Sequence, residues 1–153
     1  MQMNDLTAMF PADKFAVLAC PTNQFGKQTN EGDCEVLNTL KYVRPGNGYE
    51  PNFPLSTKIE VNGEGAHPLF AWMRSEQPWP HDDCGGQGPE FIISDLTRLA
   101  WTPVTRTDII WNFEKFLINQ NGECVRRYSP KFPTIDCAND IKALVENGPG
   151  ALN

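Results

Sequence analysis

The sequence predicts a mixed α/β fold, and three observations carry that reading. An apolar run of strand length spans residues 14–20, helical periodicities recur on either side of it, and an alternating pattern over residues 111–128 reads as a hairpin. Elements in this order bury their apolar faces by stacking helices on a sheet. The 153 residues fit one domain, 1–153, on a prior of about 150 residues each.

The elements follow in order. Met3, Leu6, Met9 and Phe10 recur at helical spacing, and Pro11 stops that first helix. Residues 14–20, Lys-Phe-Ala-Val-Leu-Ala-Cys, have the continuous apolar character of a strand buried on both faces, as in a parallel sheet. Residues 30–43 place Val36, Leu37, Leu40 and Val43 on one helical face, and Glu31 and Asp33 suit the positive end of that helix. A Pro/Gly-rich loop over 44–54 precedes a strand over 58–61 that ends at the turn Asn62-Gly63. Residues 67–74 form a third helix, with Pro68 in the first turn where its missing N–H costs nothing. Residues 77–89 read as an exposed insertion. A strand over 111–118, the turn Asn119-Gln120-Asn121-Gly122 and a returning strand over 124–128 make the hairpin. A last helix over 136–147 turns Ile141, Leu144 and Val145 inward and ends at Asn147-Gly148-Pro149.

Composition excludes several functions. With 13 Lys plus Arg against 19 Asp plus Glu, the net charge of −6 is wrong for general nucleic-acid binding, which needs clustered cations to displace counterions. No apolar stretch approaches the roughly 18 residues a membrane span requires. Five cysteines (Cys20, Cys34, Cys84, Cys124, Cys137) show no Cys-x-x-Cys pair, and His67 and His81 fit no metal spacing, so no metal site is expected. This cysteine usage favours a reducing, cytoplasmic compartment, and the absence of a visible leader leaves secretion open.

Three segments carry a family likeness: residues 18–28, Leu-Ala-Cys-Pro-Thr-Asn-Gln-Phe-Gly-Lys-Gln; residues 40–46, Leu-Lys-Tyr-Val-Arg-Pro-Gly; and residues 111–117, Trp-Asn-Phe-Glu-Lys-Phe-Leu. Asn62-Gly63, residues 65–70 and residues 126–129 extend it from end to end. The chain resembles glutathione peroxidases. That resemblance implies a thioredoxin-like fold and the reduction of hydrogen peroxide and organic hydroperoxides in the response to oxidative stress. Two glutathione molecules then regenerate a selenocysteine or cysteine nucleophile. No bound cofactor is implied; glutathione is the reducing co-substrate.

A thiolate or selenolate attacking a peroxide needs fixed donors to stabilise the departing oxygen. By position, the resemblance implies Gln28, Trp111 and Asn112 in that role. Gln24 competes with Gln28, but the family's glutamine follows Gly-Lys, which selects Gln28. Arg126, Arg127 and Lys131 imply a basic cluster for the carboxylates of glutathione, with Arg74 and Arg98 as additions. The family's Ser-Arg-Arg is here Ser129-Pro130-Lys131, which removes one arginine.

The resemblance also implies an absence. The family's nucleophile sits in an Asn-Val-Ala-Ser-x-(Sec or Cys)-Gly-x-Thr segment ahead of the first main helix, whereas residues 1–6 match the stretch just after it. The expectation is therefore a chain without the leading hairpin, the nucleophile-bearing strand and the peroxidatic residue, as when a selenocysteine codon is read as a stop. Such a chain would be inactive alone. The competing expectation is a catalytically dead short product that acts by associating with full-length subunits. A third reading uses Cys20 as the nucleophile of a redox module, against which a buried cysteine is usually inert. The 44–54 loop and the 77–89 insertion are similar to those of the tetrameric branch, which implies a homotetramer when the protein is complete.

Overall fold

A computed structural model describes residues 1–82 and 99–152. Cys84, Phe91, Arg98 and the greater part of the expected 77–89 insertion lie outside the described residues. Four α-helices are described: α1 Gln2–Ala8, α2 Val36–Tyr42, α3 Pro68–Glu76 and α4 Ala138–Asn147. Two strands, β1 Lys115–Ile118 and β2 Cys124–Tyr128, pair antiparallel with Phe116 opposite Arg127. A bulge between Leu117 and Ile118 shifts the register, so Ile118 faces Cys124.

The hairpin closes as its sequence dictates. Gly122 takes φ +81, and Asn119 Oδ1 accepts from the N–H groups of Asn121 and Glu123 at 3.0 and 2.9 Å. One face of β1 and β2 packs on α1 and α4 in a cluster of Leu6, Leu117, Val125, Tyr128, Cys137, Ile141 and Leu144. Here α4 behaves as its periodicity requires, with Ile141 and Leu144 buried, Val145 half-buried against them and Gly148 at φ +86 ending it. A second cluster, Phe25, Val61, Trp101 and Ile109, sits on the other side of the hairpin under α3 and carries the loops of interest.

Four sequence expectations are corrected in detail. Residues 14–20 form no strand: the only ladder contact described is a parallel bridge between Ala19 and Leu55, with Ala19 N–H donating to Pro54 O at 3.1 Å. Leu18 is 56% exposed and Ala16 is exposed, while Phe15 and Val17 are half-buried, so one face alone is covered. A continuous apolar run stays a two-faced strand only when both faces find neighbours.

The second helix begins at Val36, not at residue 30. Asn30 and Asp33 spend their side chains on backbone elsewhere, Asn30 Nδ2 donating to Lys27 O and Asp33 Oδ1 accepting from Lys58 N–H. Short polar side chains compete in this way with helical hydrogen bonding. Of its expected face Val36 is buried, and Leu37 and Val43 are exposed.

Residues 58–61 form no ladder, because two of their N–H groups go to side chains, Lys58 to Asp33 and Val61 to Gln24, while Ile59 N–H reaches the backbone at Pro21 O. Residues 111–114 are a turn, and the first hairpin strand starts only at Lys115. Phe113 takes φ +65 there, and Glu114 Oε1 reaches back to accept from Ile110 N–H.

α3 conforms to expectation. His67 is its N-cap, accepting from Leu69 N–H through Nδ1 at 3.2 Å, and Pro68 occupies the first turn. The 44–54 loop is fastened to α1 through Asn4, whose Nδ2 donates to Glu50 O and whose Oδ1 accepts from the Tyr49 hydroxyl.

Candidate active site

Two loops build the site. The first runs from Asn23 to Asn30 and reverses at Gly26 and Lys27, both left-handed with φ +64 and +50. Its ends are clamped: Asn23 Oδ1 accepts from Thr29 N–H at 2.9 Å, and Asn23 Nδ2 donates to Asn30 Oδ1 at 2.9 Å. The second is the 111–114 turn. Across a sequence separation of 84, Asn112 Nδ2 donates to Gln28 Oε1 at 2.9 Å.

Trp111 joins the same place. Its indole lies against buried Phe25 with ring centroids 5.7 Å apart, and Phe25 meets Trp101 edge-on at 5.6 Å. A methyl group added at Gly26 would stand 3.5 Å from Trp111 Cη2 and 3.6 Å from Gln28 Cγ, so both side chains converge over that glycine. The structure thus brings Gln28, Trp111 and Asn112 together. With Gln28 Oε1 occupied by Asn112, Gln28 Nε2 and the Trp111 indole N–H remain as donors with no hydrogen-bond partner among the described residues. Preorganised donors of this kind stabilise charge that develops on a reacting oxygen.

Gln24 does different work. It is buried, its Oε1 accepts from Val61 and Asn62 N–H, and its Nε2 donates to Asn62 O at 2.9 Å. Every hydrogen-bonding group of its amide that faces the chain is engaged, so it braces the scaffold.

The basic cluster divides. Arg127 is 1% exposed and its donors are consumed within the chain: Nε to Glu114 Oε2 at 2.7 Å, Nη2 to Asp108 O, and Nη1 among the carbonyls of Gln77, Pro78 and Thr107. Its guanidinium also lies over the Phe116 ring. Arg126 is half-buried and turned along the surface toward Asp140, and Lys131 is exposed. Arg74 is likewise spent internally, pairing with Asp108 at 2.6 Å. A guanidinium closed in this way cannot turn outward to a ligand carboxylate without leaving a buried Glu114 or Asp108 unpaired.

Glu114 holds the 111–114 turn from inside. Its two oxygens divide between Ile110 N–H and Arg127, and burial pushes its carboxyl above the usual range while Arg127 opposes that shift. Sequence reading missed this pair, as it missed Arg74–Asp108. The hairpin pattern carried a signal for the first of them, because Arg127 lies opposite Phe116, two residues beyond Glu114.

The cysteines are dispersed. Cys124 and Cys137 are buried, and burial pushes their thiols up to about 12 and about 11. Cys34 is exposed and Cys20 half-buried at the end of the extended segment. Among the described residues no group of three or more His, Cys, Asp or Glu is placed to hold a metal ion. No described helix is long and apolar enough to cross a membrane.

Comparison with known proteins gives the class, a thioredoxin-like peroxidase. The crystal structure of T. cruzi GPX1 is similar, with a TM-score of 0.58 and 25% identity, over 96% of this chain and 70% of that one. A family model described as glutathione peroxidase matches residues 1–74. Glutathione peroxidase 1 of Macaca fuscata fuscata is 51% identical over 150 residues, 98% of this chain and 72% of its own. Glutathione peroxidase 2 of Sapajus apella is 50% identical over 145 residues, covering 95% and 73%. The chain belongs to the glutathione peroxidase family.

Proposed function

We propose that this chain carries the charge-stabilising half of a glutathione-dependent peroxidase site. Gln28 Nε2, the Trp111 indole N–H and the Asn112 amide surround the position where a peroxide O–O bond is broken by a selenocysteine or cysteine. The nucleophile takes the distal oxygen, the bond between the two oxygens breaks, and the donors steady the departing oxygen until it gains a proton. Two glutathione molecules then reduce the oxidised nucleophile, the transferred oxygen leaving as water and the two thiols as one disulfide. The observation that carries this reading is the meeting of Gln28 and Asn112 at 2.9 Å beside Trp111.

The nucleophile itself is proposed to lie on sequence outside the 153 residues. Two facts support that: the buried thiols of Cys124 and Cys137 are held protonated, and the chain spans about seven tenths of the length of the curated relatives. For the glutathione carboxylates, Lys131 and Arg126 remain the candidates at the surface, with Arg127 serving the scaffold. A homotetramer of the complete protein, built through the 44–54 loop, is proposed with it.

The test is glutathione-dependent consumption of hydrogen peroxide, measured on this chain and on the chain extended by the residues that its native transcript encodes upstream of Met1. The expected result is activity in the extended protein alone. Activity in the 153-residue chain that disappears in Cys20→Ser would replace this proposal with one in which Cys20 is the nucleophile.

A further inference from the structure

The two loops that meet at Gln28 and Asn112 belong to distant stretches of sequence, and something must set their spacing. Asn62 lies between them and is 0% exposed. Toward the first loop, its backbone N–H donates to Gln24 Oε1 at 3.0 Å and its carbonyl accepts from Gln24 Nε2 at 2.9 Å. Toward the second, its side chain grips one residue at both ends: Nδ2 donates to Ile109 O at 2.9 Å, and Oδ1 accepts from Ile109 N–H at 2.8 Å. Oδ1 also receives Arg74 Nη1 at 3.3 Å, and Arg74 pairs with Asp108.

Gln24 is four residues before Gln28, and Ile109 is two before Trp111. Gly63 lets the chain pass close beneath this bridge: it takes φ +79, and a methyl group there would meet Thr102 O and Trp101 Cβ at 2.9 Å. We infer that Asn62 is the positioning residue of the site, a buried double-ended amide clamp that fixes the distance between the Gln28 loop and the Trp111–Asn112 turn. The inference rests on the site reading above and deepens it. Amide groups suit the task because each offers a donor and an acceptor at fixed spacing, and every one of them is buried where an unmade bond is costly.

The experiment reads geometry and not turnover, so donors that stay coupled in a protein without peroxidase activity would fail the functional reading alone. In the 15N-labelled extended protein, the contact is seen as a nuclear Overhauser cross-peak between the Asn112 side-chain amide and the Gln28 side chain. Asn62→Asp sets an oxygen against Ile109 O, and Gln24→Glu sets one against Asn62 O; each breaks one end of the clamp at constant shape. Loss of the cross-peak is expected in both folded variants, with retention in Ile141→Val, which loosens the other cluster. Persistence in either clamp variant, or equal loss in Ile141→Val, would overturn the inference. Hydrogen exchange on the unmodified extended protein decides without any variant: the N–H groups of Val61, Asn62 and Ile109 are expected to exchange together, and rates more than about tenfold apart would equally overturn it.

Discussion

At the scale of single residues, side chains of the same type part company according to what surrounds them. Gln24 and Gln28 are four residues apart, yet one braces the backbone and the other presents its amide to the site. In the extended, catalytically competent protein, Gln28→Ala or Asn112→Ala is expected to lower kcat by about 10²–10³, the effect of removing one charge-stabilising donor. A peroxide assay at saturating glutathione checks this, and unchanged kcat in both would remove these residues from the chemistry. The buried thiols make a second prediction. Burial raises Cys124 and Cys137 above the ordinary value, to about 12 and about 11, so the protonated thiol is the form that the fold favours. Their contribution is present in full below pH 9 and is lost as pH rises through 9 toward 11 and 12. Tyr128, raised by burial and by its bond to Asp140, acts in the same sense, and Lys115, lowered by burial, opposes it. A falling thermal midpoint between pH 9 and 11, flattened in Cys137→Ala, is expected from calorimetry of the extended protein.

At the scale of elements, turns and caps determine where the chain reverses. Asn119 accepts two N–H groups of its own hairpin and donates to Pro149 O beyond α4, tying two elements by one side chain. Asn119→Ala is expected to cost about 1–3 kcal/mol through donors left unsatisfied, read from urea denaturation of the extended protein with an unchanged slope. The hairpin and α4 were legible in the sequence because their signals are local: alternation bounded by an Asn/Gly turn, and a 3.6-residue apolar stripe ending at glycine. The strands expected over 14–20 and 58–61 were not, because ladder formation depends on a neighbour elsewhere in the chain. The amide of Gln24 takes the Val61 and Asn62 N–H groups that a neighbouring strand would otherwise accept.

At the scale of the whole molecule, apolar surface is unevenly covered. One cluster gathers α1, the hairpin and α4, and the other gathers Phe25, Val61, Trp101 and Ile109. Beside them Leu18, Leu37, Val43 and Phe113 stand 56%, 55%, 74% and 68% exposed, and the extended segment over 14–20 is bridged at Ala19 alone among the described residues. Exposed apolar groups and unladdered backbone favour association. The 153-residue chain by itself is therefore expected to bind a hydrophobic dye and to sediment as more than one species. A monodisperse monomer that melts cooperatively would contradict this. Within the first cluster, Leu144→Ala should cost about 2–5 kcal/mol, since a buried leucine side chain is lost without room for collapse.

The sequence by itself determined the family likeness, the position of α3, the apolar face of α4 and the hairpin turn, which follow from local pattern, and the resemblance pointed to Gln28, Trp111 and Asn112, which the structure places side by side. Tertiary structure alone decided what each polar group does. Arg127 sits in a series of cations that reads as a ligand surface, yet its burial against Glu114 makes it a pillar of the 111–114 turn. Asn62 reads as an ordinary turn residue before glycine, yet it joins the two loops of the site. The reason is physical: whether a polar side chain faces solvent, ligand or backbone depends on which distant groups need a partner once water is excluded.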